Sequence, residues 1–245
     1  MRRFAVVQHT YSDFLGLVET QLERRDIGFT YIRPFLDDPL PGGPMRYDGL
    51  FLLGGAAPVD DAGRCPWAEA ELRLIGAFRK AELPVVGFGF GALMIAWEAG
   101  GTPRREPAHR CGFVRARATP TGAEDPVARA ADGREVLLLH HGDVALPEGL
   151  GPVLEDTEGR WLAIRPDART CGLLFRPELK PGMLEDILME AGHDPCPELP
   201  EVLGEARARW DGMQATTDAV VAALVTALGL MRERRKHPVF SLKVE

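Results

Sequence analysis

Residues 84–92 read Pro84-Val85-Val86-Gly87-Phe88-Gly89-Phe90-Gly91-Ala92, an apolar strand that runs through a glycine-punctuated turn into a helix. This unit constrains the fold more than any other stretch. A strand with no polar face has to be covered on both sides, as in a parallel sheet sandwiched by helices. The turn has the pattern of a nucleophile elbow, which holds one reactive side chain on a sharp bend between glycines because larger neighbours would clash there. The tip position is Gly89. The scaffold for covalent catalysis is written into the chain, and the reacting atom is absent.

The flanking sequence supplies the rest of such a sheet. Short apolar runs at Phe4–Gln8, Thr30–Arg33, Tyr47–Leu53 and Leu83–Phe88 read as strands. Between them, Leu15–Arg25 carries Leu15, Val18 and Leu22 at helical spacing, and Pro66–Ala81 carries Leu72, Ile75 and Phe78. Ala92–Ala99 is the helix after the elbow. The pattern predicts one α/β domain over residues 1–245, with a central, mostly parallel twisted sheet and helices on both faces. The middle differs. Gly112–Ala118, Val136–His140, Trp161–Ile164 and Cys171–Phe175 read as strands with few helices between them, so part of this region should form an antiparallel extension that returns to the main sheet. Leu184–Ala191 reads as a short helix, and residues 199–236 as a mostly helical segment in two pieces. Its Arg232, Arg234, Arg235 and Lys236 suit a solvated helix C-terminus.

Composition excludes several partners. The net charge of −7 argues against binding a nucleic-acid backbone, which calls for a basic surface. No apolar run approaches the roughly 20 residues that span a bilayer. Phe4-Ala5-Val6-Val7 between Met1-Arg2-Arg3 and Gln8-His9 is too short for a signal-peptide core, so a cytoplasmic location is expected. Cys65, Cys111, Cys171 and Cys196 form no CxxC pair, which speaks against a zinc or redox motif, and no cofactor is expected.

The order of the motifs resembles the class I glutamine amidotransferases, particularly stand-alone proteins similar to the amidotransferase domain of GMP synthase. Gln8-His9 follows the first strand, and Tyr47-Asp48-Gly49-Leu50 leads to Leu53-Gly54-Gly55, similar to the family's oxyanion loop. Cys65-Pro66-Trp67 precedes a helix, Pro84–Ala92 is the elbow, and Arg110-Cys111-Gly112-Phe113 resembles a substrate-side segment. His141-Gly142-Asp143 and Gly172-Leu173-Leu174-Phe175-Arg176-Pro177-Glu178 complete the series over residues 4–190. The resemblance implies a flavodoxin-like sheet. It also implies a chemistry in which a cysteine thiolate attacks the glutamine amide, a histidine shuttles the proton, a glutamate orients the histidine and backbone N–H groups hold the oxyanion.

Against that pattern the cysteine position is Gly89, the histidine position is Arg176, and only Glu178 of the triad remains. Leu93 replaces a polar residue that usually follows the elbow. Glycine offers no nucleophile, and arginine stays protonated, so it cannot act as a base near neutral pH. The resemblance therefore implies an amidotransferase-like protein without glutaminase chemistry, serving as a binding or regulatory subunit beside a synthetase or other biosynthetic subunit, with self-association also open. Two rivals stand: an enzyme with a repurposed pocket acting on a small anionic substrate, and an amidotransferase activated by a partner or by a shifted nucleophile such as Cys111. Arg176 either pairs with Glu178 or anchors an anion in an open pocket. Gly54, Gly55, Phe90, Cys111, His141 and Asp143 are the ligand-binding candidates. His141 and Asp143 are expected in a turn beside the pocket. His140 and His141 are adjacent and point to opposite strand faces, so no metal site is expected.

Overall fold

A computed structural model describes residues 2–190 and 196–231. Strand and helix alternate at first: β1 (Arg2–Val7), α1 (Gly16–Glu23), β2 (Ile27–Ile32), β3 (Gly49–Leu52), α2 (Ala68–Lys80), β4 (Val85–Phe88) and α3 (Phe90–Glu98). The middle is mainly strand: β5 (Thr102–Arg115), β6 (Arg117–Ala118), α4 (Pro126–Ala131), β7 (Glu135–Ala145), β8 (Leu154–Glu155), β9 (Trp161–Asp167) and β10 (Thr170–Leu173). Helices α5 (Pro181–Met189), α6 (Leu199–Ala208) and α7 (Trp210–Ala227) follow. The helix expected to reach Ala191 ends at Met189, and Ala191 lies outside the described residues, as do Arg232, Arg234, Arg235 and Lys236.

Eight strands make one sheet in the order β2-β1-β3-β4-β10-β9-β8-β6. The run from β2 to β10 is parallel. From β10 onward β9, β8 and β6 pair antiparallel, the extension read from the sequence. Every residue of β3 and β4 is buried, as are Phe4–Val7 of β1. Helical cover on both faces accounts for the absence of polar alternation in those strands. On α2 the buried face is Ala68, Glu71, Leu74, Ile75 and Phe78. Leu72, expected on that face, is only partly buried, and its place is taken by Leu74 and by a glutamate whose partner is described below.

Strands β5 and β7 pair with each other as a separate antiparallel ribbon, not within the main sheet. A bridge between Leu138 and Phe175, with Arg176 N–H donating to the Leu137 carbonyl at 2.8 Å, ties the ribbon to the segment after β10. Val136 and Leu138 of β7 join the main core, while Leu137 and Leu139 join a second core under α5 and α6. The period of two thus serves two cores at once, which explains the unbroken apolar run Val136-Leu137-Leu138-Leu139. His141 and Asp143 lie on this strand, which corrects their placement in a turn: they pair with His109 and Arg104, and the register shifts between those pairs. Gly142 between them has φ 64°, a left-handed conformation that glycine adopts without steric cost.

Helix α4 has no counterpart in the sequence reading, because six residues carry too little periodicity to register. Its capping signal is local. Asp125 Oδ1 accepts from the N–H groups of Val127 (2.9 Å) and Ala128 (3.0 Å), and Pro126 stands at the first helical position.

Candidate functional site

The elbow has the expected local form. β4 ends at Phe88, Gly89 takes φ 52° and ψ −111°, and α3 begins at Phe90. The Gly89 carbonyl accepts from Ala92 N–H (3.0 Å) and Leu93 N–H (3.1 Å), so the helix starts directly from the bend. A positive φ at this position suits glycine. Leu93, one turn on, is fully buried.

The space at the elbow tip is occupied. Arg176 follows β10, the parallel neighbour of β4, and its side chain lies across the tip. A Cβ added to Gly89 would sit 2.6 Å from Arg176 Cδ, and one added to Gly54 would sit 2.2 Å from Arg176 Nη1. The guanidinium therefore fills the ground between the elbow and the Gly54-Gly55 loop. It is 2% exposed. Its Nε donates to Glu178, its Nη2 donates to Asp13 Oδ1 at 2.5 Å, and its Nη1 donates to the Leu139 carbonyl at 3.3 Å. Asp13 is held in turn, accepting from Thr10 Oγ1 at 2.9 Å. Of the two roles weighed for Arg176, the geometry is that of the buried ion pair, with a second carboxylate that the motif comparison missed. The signal for Asp13 was indirect: one buried guanidinium has more donors than a single carboxylate can satisfy.

Electrostatics fit a sealed cluster. Burial works against the Arg176 charge, and the carboxylates of Glu178 and Asp13 more than offset it, so its pKa is raised. Arg176 is further than usual from serving as a base. Burial pushes the Glu178 carboxyl upward against the pull of Arg176, as two carboxylates share one cation. Glu178 Oε2 and His140 Nε2 are buried without a hydrogen-bond partner among the described residues.

A second buried pair supports the neighbouring loop. His9, just past β1, directs Nδ1 at the Gly54 carbonyl (2.7 Å) and Nε2 at both Glu71 oxygens (3.0 and 3.1 Å). Both ring nitrogens face acceptors, which favours the imidazolium. Burial alone would lower the His9 pKa, but the Glu71 carboxylate overrides it and the pKa is raised. By holding the Gly54 carbonyl, His9 fixes the orientation of the Gly54–Gly55 peptide. Phe90 packs on the same loop, with its ring 2.9 Å from where a Gly55 Cβ would lie and 4.5 Å centroid to centroid from His9. The sequence placed His9 among the motifs but gave no reason for a buried glutamate on α2.

The remaining candidates lie apart from this cluster. Cys111 on β5 lines an open cavity of about 240 Å³ with His109, Arg110, Phe113 and Glu198. Its thiol is shared with Cys196, and that hydrogen bond together with burial raises its pKa far above the ordinary range. A thiol in that state is a poor nucleophile. Arg110 pairs with Asp156 at 2.6 Å. Asp143 accepts from Val144 N–H at 2.8 Å, and burial raises its pKa. The rings of His109 and His141 are 6.5 Å apart. Among the described residues no group of three metal-ligating side chains converges. The geometry brings together Gly54, Gly55, Gly89, Phe90, Arg176 and Glu178 of the sequence candidates, and leaves Cys111 in a different cavity.

No protein-family model and no curated protein matches the sequence. Solved structures match the fold. A glutamine amidotransferase from Methylobacillus flagellatus aligns with a TM-score of 0.79 at 24% identity, over 97% of this chain and 98% of that one. A glutamine amidotransferase from Thermotoga maritima aligns with a TM-score of 0.75 at 18% identity, over 91% and 98%. A GMP synthase-like protein from Thermoplasma acidophilum gives 0.57 at 13% identity, over 92% and 95%. The chain has the class I glutamine amidotransferase fold, as its motif order implied.

Proposed function

We propose that this chain is a glutamine amidotransferase-like protein that does not hydrolyse glutamine and serves as a binding or regulatory subunit of a biosynthetic complex. The observation that carries the reading is Arg176. Its guanidinium fills the space beside Gly54 and Gly89, paired to Asp13 and Glu178, where a nucleophile and a base would have to stand. An active protease that loses a triad member retains ~10³–10⁴-fold over water, too little for a working glutaminase. Here two members are replaced and the volume is filled.

The subunit role rests on analogy. A GMP synthase-like protein shares the fold across nearly its whole length. By that analogy the partner is a synthetase or similar subunit, and the chain acts as one domain in the cytoplasm. No helix among the described residues is long and apolar enough to cross a membrane.

The test is ammonia release from excess glutamine, run beside a cysteine-bearing amidotransferase of the same fold. Background release is expected. Turnover comparable to the active relative would overturn the reading, and its loss in Cys111→Ala would then assign the nucleophile to that thiol.

A further inference from the structure

We propose that a second cavity, at the switch point of the sheet, binds a small aromatic carboxylate. This goes beyond the subunit reading: the cavity shares Gly55 and Phe90 with the loop beside the elbow, but Gly89, Arg176 and Glu178 do not line it and its occupancy does not depend on whether glutamine is hydrolysed. The sheet order places β1 between β2 and β3, so the chain leaves β1 to one side and later returns on the other. In open α/β sheets the crevice beyond the strand C-termini at such a reversal is a preferred ligand site. The cavity has a volume of about 290 Å³ and is lined by the segments that follow all three strands: His9–Tyr11 after β1, Phe35 after β2 and Gly55–Ala57 after β3.

Its walls and donors define the ligand. Tyr11, Phe35, Trp67 and Phe90 supply four aromatic faces. Tyr11 is 65% exposed and meets Phe35 edge-on at 4.8 Å, so the pair stands at the mouth. The His9 and Trp67 rings are within 18° of parallel. Flat apolar walls of this kind favour a flat apolar ligand.

The cavity carries one guanidinium, Arg64, and one carboxylate, Glu190. Arg64 uses Nη2 to donate to the Ala56 carbonyl at 2.7 Å and forms no ion pair among the described residues. Trp67 Nε1 is buried with no hydrogen-bond partner among them. His9 is paired with Glu71, and Glu190 keeps its charge but turns both carboxylate oxygens to the N–H groups of Tyr11 and Ser12, each at 3.0 Å. A guanidinium with no carboxylate partner among the described residues, set against aromatic walls, selects an anionic acceptor on a planar ring. A one- or two-ring acid suits the volume.

The test uses the full chain with benzoate and indole-3-carboxylate, against their neutral amides, read by ligand-observed NMR and tryptophan fluorescence. Each acid is expected to bind roughly ten- to a hundredfold more tightly than its amide, the usual value of a charge-assisted hydrogen bond. Arg64→Gln should erase that preference, and because Arg64 is exposed the variant should fold normally. Equal binding of acid and amide, a preference that survives Arg64→Gln, or no saturation below about 10 mM would each overturn the proposal.

Discussion

Arg176 Nη2 and Asp13 Oδ1 meet at 2.5 Å across 163 positions of sequence, one after β10 and the other in the loop before α1. The pair, with Glu178, closes the space under the elbow with a guanidinium instead of leaving it open to a substrate. A charge this deeply buried is tolerable only because its partners are buried with it.

Arg176→Met should therefore destabilise the protein by about 3–5 kcal/mol, because it strands two buried carboxylates. Adding Glu178→Leu and Asp13→Leu should recover most of that loss, since an apolar replacement of a whole buried ion cluster is often neutral or better. Urea denaturation of the three proteins measures both effects. A single-mutant loss below about 1 kcal/mol would mean that the cluster is solvated.

Gly89→Cys should cost more stability in the natural background than beside Arg176→His. The new Cβ would lie 2.6 Å from Arg176 Cδ, and the shorter histidine relieves that contact. The coupling in a double-mutant cycle should fall in the range of about 0.5–3 kcal/mol expected for touching residues. The double variant should release ammonia weakly at best, because Leu93 and Asp13 remain, and a misplacement of about 1 Å can cost ~10²-fold. Turnover at the rate of an active relative would show that the pocket, not only the triad, is intact.

What the sequence made legible was local. Glycine spacing at residues 87–91 announced the elbow, and the apolar runs at β1, β3 and β4 announced buried parallel strands, because those signals depend on near neighbours. Asp13, Glu71, the first half of β5 and the separation of the ribbon from the main sheet were not legible. Asp13 and Glu71 are ordinary acidic residues until the fold sets them against Arg176 and His9, at contacts 163 and 62 positions apart. Only the Gly112–Arg115 end of β5 was read as strand; its first half hides because Pro103-Arg104-Arg105-Glu106-Pro107 shows no apolar alternation, and it is held by pairing with β7.

Asp125 carries two loads on one carboxylate. Oδ1 caps α4, and Oδ2 accepts from Arg165 at 2.8 Å. Asp125→Ala should cost about 1 kcal/mol for the cap and more for the partly buried ion pair. Asp125→Asn should cost less, because asparagine caps about as well and loses only the charge. Equal losses in thermal unfolding would place the whole effect in the ion pair.

The His9–Glu71 pair predicts an alkaline weakness. Its folded pKa lies above 6.5, so its contribution is complete below that value and is lost as pH rises through the folded value. Glu71→Gln removes the anion that holds the proton. Denaturant midpoints taken from pH 6 upward should fall more steeply for the natural protein than for this variant, although the variant starts lower. Parallel curves would mean that His9 is neutral in the folded state.

His140 predicts the opposite limb. It is fully buried, with Nδ1 donating to the Gly142 carbonyl at 3.0 Å. Burial, and then the nearby Arg110 charge, lower its pKa from 6.5 to about 3. Between those values the unfolded chain takes up a proton that the folded chain refuses. Stability should therefore be complete above about pH 6.5 and drain away as pH falls towards about 3, at up to ~1.4 kcal/mol per pH unit for one proton. Salt-bridged carboxylates such as Asp156 and Asp167, whose pKa values are lowered, add to the same acid limb. The part due to His140 is isolated by His140→Gln, which cannot titrate and can still donate to Gly142. Between pH 4 and 6 its stability curve should be flatter than that of the natural protein by close to one proton's slope, while the region below pH 3 stays similar. An unchanged slope would mean that His140 accepts its proton in the folded state, and that the ribbon opens to water around it.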